Sequence, residues 1–326
     1  MHKLFKRFLI GIGAVATLWL SAAGVLIATS APAFTGKPFL VHTLPAPPCV
    51  TTAQVRCFST RDGKVLHAVW IDAASDDRQV VLLLHGIMSS GEELLPFGTQ
   101  LHEATGAAVA SLDLRGHGAS AGTFGDIDYI GQYEDDVADV VAALRREQPT
   151  RPVALAGHSM GGGVAMRYAA KKSLPPVDRY LLLAPHLGEE SPTTRHDSAD
   201  AAGIEPPIKL HLRRTIGLLM LNVLGITSFN GLGTLYLNVA NESGLLHYSF
   251  RAMASCAPDD YRAALAADDK PLLIIAGSRD EAFDAAQYPQ VAKLHRNGEA
   301  LIVADQTHDG ILRSPQAIAA AAAWLR

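Results

Sequence analysis

The stretch from Val153 to Gly163 constrains the fold more than any other part of this chain. Four apolar residues, Val153-Ala154-Leu155-Ala156, lead into Gly157-His158-Ser159-Met160-Gly161-Gly162. A short, continuous apolar run bounded by glycine predicts one buried strand of a parallel sheet. The residues from Gly162 to Lys171 predict a helix carrying Val164, Ala165, Met166, Tyr168 and Ala169. Strand, tight turn and helix together form the context in which a G-x-S-x-G pattern presents its serine on a sharp, strained turn. Gly157 and Gly161 leave room for backbone to pass close by, and Gly162 lets the helix pack tightly on its strand. Ser159 is therefore a candidate nucleophile, and the alternative is a glycine-rich turn with a surface serine.

The rest of the chain alternates in the same manner. Asp62-Gly63 separates Ala53–Thr60 from Val65–Ile71, a hairpin signal. Val80–Leu84 reads as a fully apolar strand ending at His85-Gly86, followed by a helix around Leu94–Ala104 and a strand at Ala107–Leu112. Tyr133–Arg146 carries Val137, Val140, Val141 and Leu144 on one face, with acids in its first turn and arginines in its last. Tyr180–Ala184 reads as another buried strand. From Gly188 to about Asp269 no strand followed by a helix is evident, and Ile208–Ile226 is strongly apolar. Alternation resumes with Leu272–Ala276, a helical region near Ala285–Leu294, a strand at Leu301–Ala304 and a final helix with Ser314 as cap and Pro315 in its first turn. Buried strands alternating with helices predict an α/β fold, a mostly parallel sheet covered on both faces. The interrupting segment, about 188–269, reads as a cap over the carboxyl ends of the strands, where open α/β sheets place their sites.

A serine is a weak nucleophile at neutral pH and needs an adjacent base. His308 alone among 13 histidines combines a late position with a loop after a predicted strand. Asp280 follows Leu272–Ala276 through Gly277-Ser278-Arg279, and Asp284 lies close behind as a competitor. Such an acid would hold the histidine tautomer and stabilise the imidazolium. The oxyanion would need two backbone donors, one of them the N–H of Met160 at the start of the helix after Ser159.

His85-Gly86 after a strand, Asp113-x-Arg115-Gly116-His117-Gly118, the Gly157–Gly162 turn, Gly277-x-x-Asp280 and His308 occur in this order. Over roughly residues 53–326 the chain resembles the α/β-hydrolase superfamily, within it the monoacylglycerol lipase-like branch catalogued with the S33 serine aminopeptidases. The resemblance implies an α/β-hydrolase fold with an inserted cap and a triad of Ser159, Asp280 and His308. It favours Asp280 over Asp284 through the Gly-x-x-Asp element, and it makes Ile87 the second oxyanion donor. His85, His117 and His158 read as hydrogen-bonded loop histidines.

The first segment has its own signature. Lys3, Lys6 and Arg7 precede a stretch from Phe8 to Ala28 broken only by Thr17 and Ser21. At about 1.5 Å per residue it just crosses a hydrocarbon core of roughly 30 Å. An uncleaved signal-anchor over 1–31 is the expectation, and a signal peptide cleaved at Ala31-Pro32-Ala33 is the rival. Either way the positive flank stays in the cytoplasm and the rest is exported, to the periplasm or its equivalent. Residues 32–49, with Pro32, Pro38, Pro45, Pro47 and Pro48, read as an extended linker to a domain at 50–326. In an oxidising compartment Cys49 and Cys57 could close a short loop, leaving Cys256 unpaired.

Lys plus Arg (28) nearly balances Asp plus Glu (32), without a basic stripe, so nucleic acid is not an expected partner. No G-x-G-x-x-G follows a strand and no His, Asp or Glu set has metal-ligand spacing, so neither a cofactor nor a metal is expected. The expected activity is hydrolysis of a hydrophobic acyl ester through an acyl-enzyme, with Ile208–Ile226, Phe229, Leu232, Leu235 and Tyr236 forming a greasy pocket or a face resting on lipid. An S33 aminopeptidase, with Glu189, Glu190, Asp197 or Asp200 holding a free amine, is the alternative enzyme. A non-catalytic relative that binds a hydrophobic ligand is the alternative from another class.

Overall fold

The computed structural model describes residues 2–41, 48–195 and 205–326, with side chains for all of these except 2–10 and 12. In chain order the elements are α1 (His2–Ile27), β1 (Phe39–Leu40), β2 (Val55–Ser59), β3 (Val65–Ile71), β4 (Val80–Leu84), α2 (Gly91–Thr105), β5 (Ala108–Leu112), α3 (Gln132–Glu147), β6 (Val153–His158), α4 (Met160–Ala170) and β7 (Arg179–Leu183). They continue with β8 (Ile208–Leu210), α5 (Leu212–Asn222), β9 (Gly233–Asn241), β10 (Gly244–Ser249), α6 (Phe250–Ala254), α7 (Tyr261–Ala266), β11 (Leu272–Gly277), α8 (Tyr288–Ala292), β12 (Gly298–Val303) and α9 (Pro315–Leu325). The chain divides into two compact units, Met1–Leu44 with Ala199–Met253, and Pro45–Ser198 with Ala254–Arg326.

The larger unit is built on an eight-stranded sheet in the order β12-β11-β7-β6-β4-β5-β3-β2. From β12 to β5 every pairing is parallel, and the β2–β3 hairpin adds two antiparallel strands at the β5 edge. Strands β4, β5, β6 and β11 are buried at every position, as strands covered on both faces must be. Helix ends carry their own stops: Gly106 closes α2 at φ 69°, returning its N–H to the His102 carbonyl, and Ser314 accepts from the Ala317 N–H at the start of α9. Cys49 and Cys57 are bonded across a sequence separation of 8, fixing the chain ahead of β2 to that strand. A loop this short should contribute about 2–3 kcal/mol through the unfolded chain. A Cys49→Ser/Cys57→Ser variant is expected to unfold at correspondingly lower urea than the wild type, and equal midpoints would show that the bond adds nothing to the fold.

The smaller unit departs from expectation. The interval 188–269 does contain a strand followed by a helix, β8 then α5, and β8, β9 and β10 join β1 in a four-stranded second sheet. Strand β1 comes from the expected Pro-rich linker: Phe39 and Leu40 pair in parallel with Val239 and Ala240. Glu205 also takes hydrogen bonds from the backbone N–H groups of Thr35 and Gly36. Residues 34–41 are thus structured rather than a free tether, while 42–47 lie outside the described residues.

Helix α1 is likewise part of this unit. It runs antiparallel to α5: the Trp19 indole N–H donates to the Met220 carbonyl, Gly217 faces Ala23, and the Arg214 guanidinium donates to the Ile27 and Thr29 carbonyls. The same guanidinium reaches the Gly233 carbonyl and the Tyr236 hydroxyl, so one cation ties the end of α1 to α5 and β9. A Cβ at Gly217 would press into the Ala23 carbonyl and Ile27, which is why a glycine stands at the crossing. The expectation of a membrane-crossing segment is corrected here: among the described residues no helix is long and apolar enough to cross a membrane. The first residues of the expected span, Phe8–Ile10 and Ile12, have side chains outside the described set.

Candidate active site

Strand β6 ends at His158 and α4 begins at Met160, leaving Ser159 alone on the turn with φ 53° and ψ −116°. A non-glycine residue in that region is strained and persists only where its surroundings hold it. Here the Ser159 N–H donates to the Leu183 carbonyl of β7, and its own carbonyl accepts from Gly163 and His186. Two glycines make the turn possible. A Cβ on Gly157 would overlap the Gly161 carbonyl, and one on Gly161 would overlap the Leu84 carbonyl at the end of β4. The serine is thereby presented at the carboxyl end of the sheet.

The sequence candidates for acid and base meet. His308, in the loop after β12, places its Nδ1 3.0 Å from Oδ2 of Asp280, in the loop after β11. Asp280 is 1 % exposed, and its other oxygen accepts the backbone N–H groups of Ala282 and Phe283. Those two bonds fix the carboxylate, so the remaining oxygen is aimed at the imidazole and leaves Nε2 as the basic position. Asp284 faces elsewhere: its carboxylate accepts from the Ala286 N–H and the Gln287 amide. The His158 and His308 rings lie 4.7 Å apart, which sets the Ser159 turn beside the histidine.

Met160 is the first residue of α4, so its N–H has no acceptor within the helix. Ile87 lies in the turn after β4, and a Cβ on the preceding Gly86 would press against Cβ of Ser159. Both expected oxyanion donors are therefore on the two turns that converge on the serine.

Around this core are contacts that the sequence reading did not identify. The His308 N–H donates to the Glu281 carboxylate, and Arg195 donates to the Asp280 carbonyl. Phe283 stacks on His186 and meets the edge of His308 at 5.3 Å. The His186 Nδ1 is buried without a hydrogen-bond partner among the described residues. The closeness of Glu281 and Phe283 to Asp280 in sequence was the one available signal, and His186 carried none because its role depends on a neighbour about a hundred residues away.

The other histidines and the Asp113–Gly118 motif build the loops. His85 donates from Nδ1 to the Gly86 carbonyl and accepts the Leu114 N–H at Nε2. Burial pushes His85 down to about 3, and burial with the neighbouring His308 does the same to His158, so both rings are neutral. Asp113 collects the N–H groups of Gly91 and Ala119 and the His67 ring. Arg115, 3 % exposed, is held by Asp136 at 2.6 Å and by Asp62 at 2.9 Å. Arg115→Ala would leave Asp136 buried without its cation and is expected to cost about 3–5 kcal/mol, read as a shift of the urea midpoint. Of the amine-holding candidates for a peptidase, Glu189 and Glu190 are exposed, and Asp197 and Asp200 lie outside the described residues.

A family model described as serine aminopeptidase, S33, matches residues 75–223. A monoacylglycerol lipase of Mycolicibacterium smegmatis is 32 % identical over 108 residues, 33 % of this chain and 38 % of that protein. A protein phosphatase methylesterase 1 of Mus musculus is 35 % identical over 98 residues, 30 % of this chain and 25 % of its own length. The matched stretch thus spans well under half of either relative. Among solved structures, Est1E of Butyrivibrio proteoclasticus with ferulic acid bound shares 19 % identity at a TM-score of 0.55, covering 82 % of this chain and 95 % of that one. An esterase of Pyrococcus furiosus shares 19 % at 0.56, covering 87 % and 98 %. At such identities the likeness is one of fold. The parallel sheet, the strained turn between β6 and α4, and these matches make the chain similar to α/β-hydrolases in fold and, over residues 75–223, similar in sequence to the S33 serine aminopeptidase family.

Proposed function

We propose that this hydrolase is a serine enzyme that cleaves carboxylic esters of hydrophobic acyl groups, acylglycerols among them. The observation that carries the reading is the Asp280–His308 hydrogen bond beside a strained serine turn. In this mechanism His308 Nε2 takes the Ser159 proton as Oγ attacks the ester carbonyl. Asp280 keeps the Nδ1 proton in place and stabilises the imidazolium. The tetrahedral oxyanion is received by the Met160 and Ile87 N–H groups. His308 then returns the proton to the leaving alcohol, and a water, deprotonated by the same ring, releases the acid from Ser159. A fluorophosphonate probe should label the wild type and not Ser159→Ala, and absence of labelling in both would sink the serine mechanism. The S33 description favours a peptidase as second reading, so a glyceride ester is to be compared with an aminoacyl amide; faster cleavage of the amide would reverse the assignment.

The apolar insertion supports the acyl preference. Leu218 and Leu221 of α5 are buried within the smaller unit, whereas Leu219 is 51 % exposed, and Val223 and Leu224 are exposed as well. With a hydrophobic acyl group as substrate, kcat/KM should rise gradually with acyl length, by up to about 0.8 kcal/mol per methylene, and then plateau. Acetate as the best substrate would reject the acyl preference.

The Cys49–Cys57 bond supports a location outside the cytoplasm, where such bonds persist. Exposed Val15, Leu18 and Val25 of α1 and Leu219 and Val223 beside them suit a module resting on a lipid surface, with α1 retained. Removal of residues 1–34 is the corresponding test: it should release the protein from liposomes, and undiminished liposome binding would count against this placement.

A further inference from the structure

From the juxtaposition of His158, His308 and Asp309 we infer that the active site carries an inhibitory site for a divalent transition metal, zinc in the first instance. No spacing in the sequence suggests it, because the ligands come from the end of β6 and from the loop after β12. In the fold, one ligand atom from each of the three residues lies within 4.8 Å of the other two. The His158 Nε2 is 3.8 Å from the Asp309 carboxylate, and the two imidazole rings are 4.7 Å apart.

Two imidazoles and one carboxylate are a donor set suited to zinc, with a fourth position left to water. The set also has the outer support that metal-binding histidines require. His308 already donates its Nδ1–H to buried Asp280, which fixes the ring and leaves Nε2 as the ligand atom. A tetrahedral zinc with bonds of about 2.0–2.2 Å draws its ligands to about 3.3 Å from one another. The set must therefore contract by roughly an ångström or more. Asp309 is the member able to supply much of that movement: its side chain is 81 % exposed, whereas that of His158 is 5 % exposed and held in the strand. At present His158 Nε2 lies 3.3 Å from the His308 carbonyl, a long contact that metal binding would replace.

The consequence rests on the functional reading given above. A metal on His308 Nε2 occupies the lone pair that would accept the Ser159 proton, so binding and hydrolysis exclude one another. The inhibition is reversible because no covalent bond to the protein forms.

The test separates binding from activity. Full-length protein is titrated with zinc alone by calorimetry, and with cobalt(II) alone by its visible absorption. Ester hydrolysis is followed over the same zinc range and again after chelation with EDTA. The expected result is one zinc per chain, inhibition with the same midpoint as binding, full recovery on chelation, and no effect of magnesium. Asp309→Asn should hydrolyse esters normally without metal but shift both midpoints at least tenfold. His308→Ala should lose the zinc site by calorimetry whether or not His308 is catalytic. Absence of one-site binding, or an unchanged zinc affinity in Asp309→Asn, overturns the site. Zinc binding in a chain that hydrolyses no ester would instead leave the site standing and reject the functional reading.

Discussion

Ser159→Ala and His308→Ala should each lower kcat by about 10⁴-fold or more, and the double variant should be scarcely worse than either single one. In the proposed mechanism the groups act as one unit: a serine without its base is no nucleophile, and a base without its serine has no proton to take. Asp280→Asn should cost about 10³–10⁴-fold, because an amide in that position can present its NH₂ to His308 and turn the ring to the wrong tautomer. Asp280 receives two backbone N–H groups on its other oxygen, so the asparagine has reason to keep that arrangement and point its amide nitrogen at Nδ1. Steady-state kinetics on a glyceride ester, with circular dichroism to establish folding, checks all three. Near-normal turnover in Asp280→Asn together with loss in Asp284→Asn would move the acid to Asp284 despite its outward-facing carboxylate.

Gly161→Ala is expected to be nearly as damaging to activity while touching no reacting group. The added methyl would overlap the Leu84 carbonyl, and backbone has nowhere to retreat at the junction of β4 with the serine turn. Relieving the overlap costs about 1–3 kcal/mol of stability. More importantly, it moves Ser159 and the Met160 N–H relative to the Ile87 turn, and a displacement of about 1 Å is worth about 10²-fold in rate. The expected signature is a modest loss in thermal midpoint and a fall in kcat of about 10²-fold or more, with little change in KM. Gly231→Ala is a suitable comparison, since its new methyl meets only the Arg251 side chain, at 3.4 Å. Wild-type kcat in Gly161→Ala would show that the turn is not held against β4 in the way the backbone geometry indicates.

Where sequence reading succeeded, the signal was local. Strands β4, β5, β6 and β11 announce themselves as apolar runs because both faces are covered, and their helices follow at regular intervals. The serine turn is legible because its conformation can be met only by small residues at Gly157 and Gly161. Asp280 and His308 were legible as positions after strands, although their hydrogen bond is a tertiary fact. The insertion was opaque for the opposite reason. Strand β8 has three residues, β1 has two, and β9 pairs with a segment some two hundred residues earlier in the chain, so no window contains both partners. Helix α1 misled in the same way. Its composition reads as a free apolar anchor, and nothing near it in sequence reveals that Arg214 and Gly217 are shaped to receive its end.

That clasp has a consequence for how the chain is made. Helix α1 ends at Ile27, whereas the segment that receives it begins at Leu212. At synthesis rates of about 5–20 residues per second, the apolar helix emerges and waits about 10–40 s before Arg214 exists to bind its carbonyl groups. During that interval its partner-facing side, Ala23 included, has no native surface to cover it. Neither unit is contiguous in sequence, so the first can close only after Met253 and the second only after the last strand and α9 are made. The newborn chain thus carries an apolar amino terminus that stays uncovered until α5 has been made.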